Sequence, residues 1–405
     1  MDLKSGYPYW AVKNGLMQAF PPLAGDQRCE VAVVGGGITG ALIACELAAH
    51  GFDVVLVEQR DIGWGSTAAS TALLQYEIDT PLLELAKRYG AADAAMAYRA
   101  CAQALDALAG LAAQLGDVDF ARADSLYFAS RRWHAGAMRE ECALRARHGL
   151  QVEWLERAAL RERFGIGAAG AILSAQAARI DPYRFTHRLL QRLQRGGARI
   201  FDRTCIAGLE AGSRGVALRT NRGATLRADQ VVLATGYAAQ HWLDARVARN
   251  ASSYAYITDP LPEGALRALA DTLVWESARP YLYLRSTGDG RLLVGGADDA
   301  IDVPARRDRR VLSKARQLRK RVERMFPQLT LQPAFCWAGT FAETGDGLPF
   351  FGAHAQHGPR VQFAMAYGGN GITYAAIGAR ILRMQLQRRR HPLQALFGFE
   401  RMSRG

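Results

Sequence analysis

Two kinds of apolar pattern share this chain. Short, largely apolar runs at residues 30–34, 53–57, 230–234 and 361–367 predict buried strands. Residues 81–115 carry helical periodicity with a break near Gly90, and shorter periodic stretches follow at 137–148 and 156–164. Pro182 opens a helix through residue 194, Pro327 closes a basic one over 310–326, and a last helix covers 372–387. Residues 198–206 read as a strand, and residues 216–226 as a hairpin about Asn221-Arg222-Gly223. Strand signals dominate 252–299, including Tyr281 to Arg285 and a turn at Gly288-Asp289-Gly290.

The first buried strand carries the chemistry. Gly35-Gly36-Gly37-Ile38-Thr39-Gly40 follows it, then a helix ended by Gly51, a second strand, and the acidic Glu58. Strand, G-x-G-x-x-G, helix, strand and acid in register form the dinucleotide-binding βαβ pattern. Gly35 permits the tight turn, Gly37 admits a pyrophosphate to the backbone, and Gly40 lets helix and strand pack closely. The helix N-terminus offers unpaired N–H groups to phosphate, and Glu58 would accept from ribose hydroxyls.

Composition narrows the class. The 405 residues suffice for two domains, with 49% hydrophobic and 22% charged residues. The six cysteines are scattered without C-x-x-C or metal-ligand spacing, so reduced thiols, a cytoplasmic setting and no metal are expected. Residues 1–25 hold charge and aromatics but no apolar core, so they read as an arm packed on the body and not as a signal peptide. The formal charge of +13 sits largely in arginine runs. Either these touch an anionic partner, such as a membrane surface, or they are solvated helix faces. No nucleic-acid motif accompanies them.

Glycine turns recur downstream. Gly35 to Gly40, Glu58, Gly65-Ser66-Thr67, Ala234-Thr235-Gly236, Trp337-x-Gly339, Asp346-Gly347-Leu348-Pro349 and Gly368 to Gly371 occur in family order. In these segments the chain resembles the D-amino-acid oxidase superfamily of FAD enzymes, especially its glycine oxidase and sarcosine oxidase branch, over most of residues 28–390. The resemblance implies an α/β fold (α+β overall), with a Rossmann-type FAD-binding domain interleaved with a mixed, antiparallel-sheet substrate domain. Its division would be an arm at 1–26, FAD domain at 27–80, 146–244 and 336–405, and substrate domain at 81–145 and 245–335.

The resemblance also implies site residues. Gly35, Gly37, Ile38, Thr39 and Glu58, with Gly40 and Gln59, would hold the pyrophosphate and ribose. Arg60, Ser66, Thr67 and Ser70 would follow FAD toward the flavin. Ile206 would reach adenine, beside Ala234, Thr235 and Gly236. Gly368, Gly369, Asn370, Gly371, Ile372 and Thr373 would set a helix N-terminus near flavin N1 and O2, where charge develops on reduction. No cysteine stands at the attachment position near Gly339, so non-covalent FAD is expected, although Cys336 is close in sequence.

On the substrate side the pattern changes. Phe341 stands where glycine-oxidase-like enzymes carry a carboxylate-clamping arginine, and Thr373 where sarcosine oxidases carry a lysine. A phenyl ring cannot form a bidentate carboxylate pair. The substrate-lining candidates are Gln75, Tyr76, Tyr281, Tyr283, Arg285 and Phe341, with Glu77 beside the first pair. Strand alternation puts 281, 283 and 285 on one face, where they either converge on a polar ligand or pack structurally. No catalytic base is named. The expectation is FAD-dependent oxidation of a C–N bond in a small amine or amino-acid derivative. The alternatives are a peripheral flavin dehydrogenase feeding quinone, and a flavin-bound protein without turnover.

Overall fold

The structure is a computed structural model that describes residues 2–365 and 367–403. Among these residues the strands form an eight-stranded and a ten-stranded sheet. The smaller sheet is parallel at its centre, in the order Val361–Met365, Thr225–Leu233, Gln27–Val34, Val54–Val57, Arg199–Phe201. Val54–Val57 is buried at every position and Gln27–Val34 from Val31 onward, as strands covered on both faces must be. Phe350–Ala353 adds an antiparallel edge, and Ile206–Gly212 with Gly215–Thr220 continues from the other end of Thr225–Leu233.

Helices Ile38–Ala49, Pro182–Arg195 and Gly371–Leu386 contribute to the core cluster on this sheet. Pro182–Arg195 starts where Asp181 Oδ1 accepts from the N–H groups of Tyr183 and Arg184 at 3.1 and 2.9 Å, with Pro182 in its first turn. The residue 81–115 region forms two helices, Leu82–Tyr89 and Ala91–Leu115, separated by Gly90 at φ +84°.

The ten-stranded sheet is antiparallel except where Thr272–Glu276 runs parallel to Ala121–Phe128. Its strands come from distant segments: Lys4–Gly6, Leu73–Gln75, Val152–Glu156, Gly170–Arg179 and Pro333–Glu343 join those between Arg249 and Asp299. The basic helix begins at Pro304, six residues before the expected start, because proline suits the first turn. Its buried stripe of Arg307, Val311, Ala315, Leu318 and Val322 leaves Arg306, Arg309 and Arg310 exposed. The expected strand over 198–206 divides: Arg199–Phe201 ends the parallel sheet, and Ile206 opens the next strand. The strand expected over 361–367 ends at Met365; Ala366 lies outside the described residues, as does Met1 of the arm.

The arm is a sheet edge as well as packing. Lys4–Gly6 pairs with Pro333–Glu343, placing Lys4 opposite Gly339. The buried Arg307 guanidinium donates to Ser5 Oγ at 2.7 Å and to the carbonyls of Asp2 and Lys4 at 2.8 and 3.0 Å. Arg307→Ala strands these acceptors in a buried site and should cost roughly 3 kcal/mol. A lower thermal midpoint with early protease cleavage before residue 20 is the expected result, and an unchanged midpoint would show that the edge holds without its clamp.

Candidate functional site

A continuous cavity of about 620 Å³ is lined by residues from both sheets. One end is built by the first βαβ unit. Gly35 turns at φ +118°, where a Cβ would lie 2.3 Å from the Ala234 carbonyl oxygen. A Cβ on Gly40 would lie 1.9 Å from the Gly35 oxygen, so Gly40 is a packing residue and does not line the cavity. Gly37 precedes helix Ile38–Ala49 without a side-chain cap, and Ile38 N–H donates to Thr67 Oγ1 at 3.0 Å. The Glu58 carboxylate accepts from Gly36 N–H at 2.7 Å and Arg60 N–H at 2.9 Å. Burial pushes its carboxyl above the usual range, and these N–H donors oppose that push. Gln59, Arg60, Ile206, Ala234, Thr235 and Gly236 complete this end.

The middle is polar and small. Ser66, Thr67 and Ser70 line it, and Ser70 Oγ accepts from Ala72 N–H at 3.1 Å. Ser66 Oγ and Thr235 Oγ1 are buried without a partner in the chain. Opposite stands the start of helix Gly371–Leu386, whose N-cap Asn370 makes no capping bond. Gly368 to Thr373 all line the cavity, as does Gly339. Thr373 Oγ1 donates to the Gln75 carbonyl at 3.0 Å and Gly369 N–H to Asp79 Oδ2 at 2.7 Å.

The far chamber lies against the ten-stranded sheet. Gln75, the last residue of strand Leu73–Gln75, lines it, as do Glu77 and Asp79 beyond the strand end. Tyr76, between them, turns the other way: it is fully buried in the core, edge-on to Tyr98, and does not line the cavity as expected. Tyr281, Tyr283 and Phe341 do line it. Arg285 does not: its guanidinium turns beneath the arm, donating to the carbonyls of Thr71, Ser286 and Ile180 and lying 5.2 Å over Trp10. Buried carbonyls offer that cation bonds the cavity wall does not.

Other chamber residues carry weak sequence signals. Trp275 Nε1 and Gln75 Nε2 both donate to Ser125 Oγ, at 3.0 and 3.1 Å. Tyr283 hydroxyl pairs with Ser253 Oγ at 3.0 Å. Asp298 brings in a carboxyl that burial pushes up to about 6, opposed by Ser253 and reinforced by Glu343 and Asp79. The doublet Asp298-Asp299 at a strand end was the only hint of it. Its Oδ1 has no partner.

The raised Asp298 carboxyl makes a signed prediction. Its folded value exceeds the unfolded one, so its contribution favours the fold at low pH and is lost as pH rises through about 6. Without ligand, Asp298→Asn should melt a few degrees higher at neutral pH. That advantage should vanish near and below about pH 4. Identical melting curves across this window would contradict the burial of this charge.

Residues 30–384 match the family model DAO, described as FAD dependent oxidoreductase. The chain is 26% identical to gamma-glutamylputrescine oxidoreductase of Escherichia coli (strain K12), covering 92% of this chain and 87% of that one. It is 27% identical to glycine oxidase of Geobacillus kaustophilus (strain HTA426), over 81% of this chain and 85% of the relative. The crystal structure of glycine oxidase from Geobacillus kaustophilus superposes with a TM-score of 0.76 at 21% identity, over 92% of this chain and 98% of that one.

Proposed function

The chain belongs to the DAO family of FAD dependent oxidoreductases, and on that premise we propose that it oxidises the C–N bond of a small amine or amino-acid derivative. The observation that carries this reading is the continuity of the cavity, from the Gly35–Gly37 turn to a chamber walled by Gln75, Trp275, Tyr281, Tyr283 and Phe341. Relatives named glycine oxidase and gamma-glutamylputrescine oxidoreductase support a nitrogen-bearing substrate.

The residues present fit the cofactor. Gly35 and Gly37 would let the pyrophosphate meet the backbone at the first helix N-terminus, and Glu58 has lone pairs left for the ribose. The partnerless Ser66 and Thr235 hydroxyls supply polar contacts along its length. We take the attachment as non-covalent, because Cys336 packs in the cluster under the basic helix and does not line the cavity. The smaller sheet would serve as the nucleotide half and the larger as the substrate half.

FAD held here would supply a two-electron acceptor: the C–H bond beside nitrogen would break with loss of hydride to the flavin as the nitrogen lone pair forms C=N, water would hydrolyse that product, and oxygen or another acceptor would take up the electron pair. The protein's part is placement and charge. The uncapped start of helix Gly371–Leu386 offers N–H groups and a positive helix end to charge developing beside it. Tyr281, Tyr283, Trp275 and Phe341 confine the reacting carbon and displace water.

A second reading passes the electrons to quinone at a membrane surface. It is favoured by the exposed Trp133, with Arg131 at 5.6 Å from its ring and Lys320 and Arg324 lining the adjoining hollow. Among the described residues no helix is long and apolar enough to cross a membrane.

Anaerobic mixing with a panel of amines and amino acids tests the main reading: bleaching of the flavin absorbance by at least one compound is expected. No bleaching by any compound would support a flavin-bound protein without turnover. Peroxide release under air, set against reduction of a soluble quinone, separates the two acceptors. Gly40→Ala, which forces a Cβ onto the Gly35 carbonyl, should yield folded protein that retains little or no FAD.

A further inference from the structure

The far chamber is negatively charged. Its lining carboxyls are Glu77, Asp79, Asp298 and Glu343, whereas Arg60, the one Lys or Arg lining the cavity among the described residues, stands beside Glu58 at the opposite end. Two of the four acids have a cation behind them. Arg145 lies 4.0 Å from Glu77, and Arg279 lies 3.3 Å from Glu343 at the rim. Asp79 and Asp298 make no ion pair within 4 Å among the described residues; Arg279, which donates to the Asp79 carbonyl at 3.0 Å, and Lys314 act on them from farther off. Asp79 accepts from Gly369 N–H at 2.7 Å, and Asp298 Oδ1 is buried without a partner. Glu343 and Asp79 both push the Asp298 carboxyl toward its protonated form.

The remaining wall is aromatic. Trp275 and Tyr281 meet edge to face at 6.0 Å, and Tyr283 and Phe341 join them on the lining. Aromatic faces and carboxylates both attract cations. A substrate carboxylate entering here would meet like charge and, at Phe341, a side chain with no donor.

We propose that the substrate carries a second cation at its non-reacting end, so that the class is a diamine or polyamine, with Asp298 holding the remote ammonium and Asp79 supporting it. This rests on the reading of the chamber as the substrate site of an amine-oxidising flavoenzyme. A bound ammonium gives the orphaned Asp298 oxygen the partner that the chain does not. The reacting nitrogen, held neutral, needs no such counterion.

The test uses the FAD-loaded protein, kept anaerobic, with three probes of equal chain length: 1,4-diaminobutane, butylamine and 4-aminobutanoate. Affinity is read from the perturbation of the flavin spectrum, and turnover from its bleaching. The diamine is expected to bind roughly tenfold or more tighter than butylamine, with the amino acid weakest. Asp298→Asn, checked for retained flavin colour, should remove most of the diamine's advantage over butylamine, and Asp298→Glu should restore part of it. Equal binding of the three probes, tighter binding of the amino acid, or no binding of the diamine would overturn the proposal. So would a diamine advantage that survives in Asp298→Asn. Bleaching by butylamine or the amino acid without diamine preference sinks this inference and leaves the amine-oxidation reading intact. Diamine-selective binding with no bleaching by any probe does the reverse.

Discussion

The site depends on a steric constraint: three backbone segments meet where there is no room for side chains. The Gly35 turn lies against Ala234, and Gly40 lies against Gly35, each closer than a Cβ could tolerate. Packed this tightly, helix Ile38–Ala49 begins at the edge of the cavity, and the strand Thr225–Leu233 delivers Ala234 to Gly236 alongside it. Helix Gly371–Leu386 begins on the same cavity from much later in the chain. Two helix starts therefore face one space, an arrangement suited to a long anionic cofactor.

The larger sheet covers that frame and walls the far chamber. Its strands come from both ends and the middle of the sequence, so the chamber wall is assembled from residues as distant as Gln75 and Phe341. Arg307 clamps the arm to this sheet across from Gly339, which links the stability of the edge strand to the cavity wall. Charge is divided in space. The +13 formal excess lies largely in arginines, several on the outward face of helix Pro304–Met325, whereas the chamber inside is lined by carboxylates.

Much of this was legible in the chain. The βαβ unit could be read because each part answers to a local rule: buried valines, φ-permissive glycines, and an acid at a strand end. The glycine turns at 234–236 and 368–371 could be placed by resemblance, and they line the cavity. The far chamber was harder. Alternation correctly put Tyr281 and Tyr283 together, but Arg285 left their company for buried carbonyls, a tertiary choice no local pattern encodes. Gln75 and Tyr76 could not share a face, and the alternation rule alone would have preferred Gln75, Glu77 and Asp79. Asp298 and Glu343 gain their meaning only when the sheet brings them near Asp79, across more than two hundred residues of chain.

The most direct measurement is the identity and amount of the chromophore released when the purified protein is denatured. The account predicts FAD, about one per chain, leaving with the supernatant and not with the polypeptide. A colourless protein that takes up no FAD on reconstitution, or a released flavin without the adenosine half that the Gly35 turn and Glu58 are placed to hold, would contradict it.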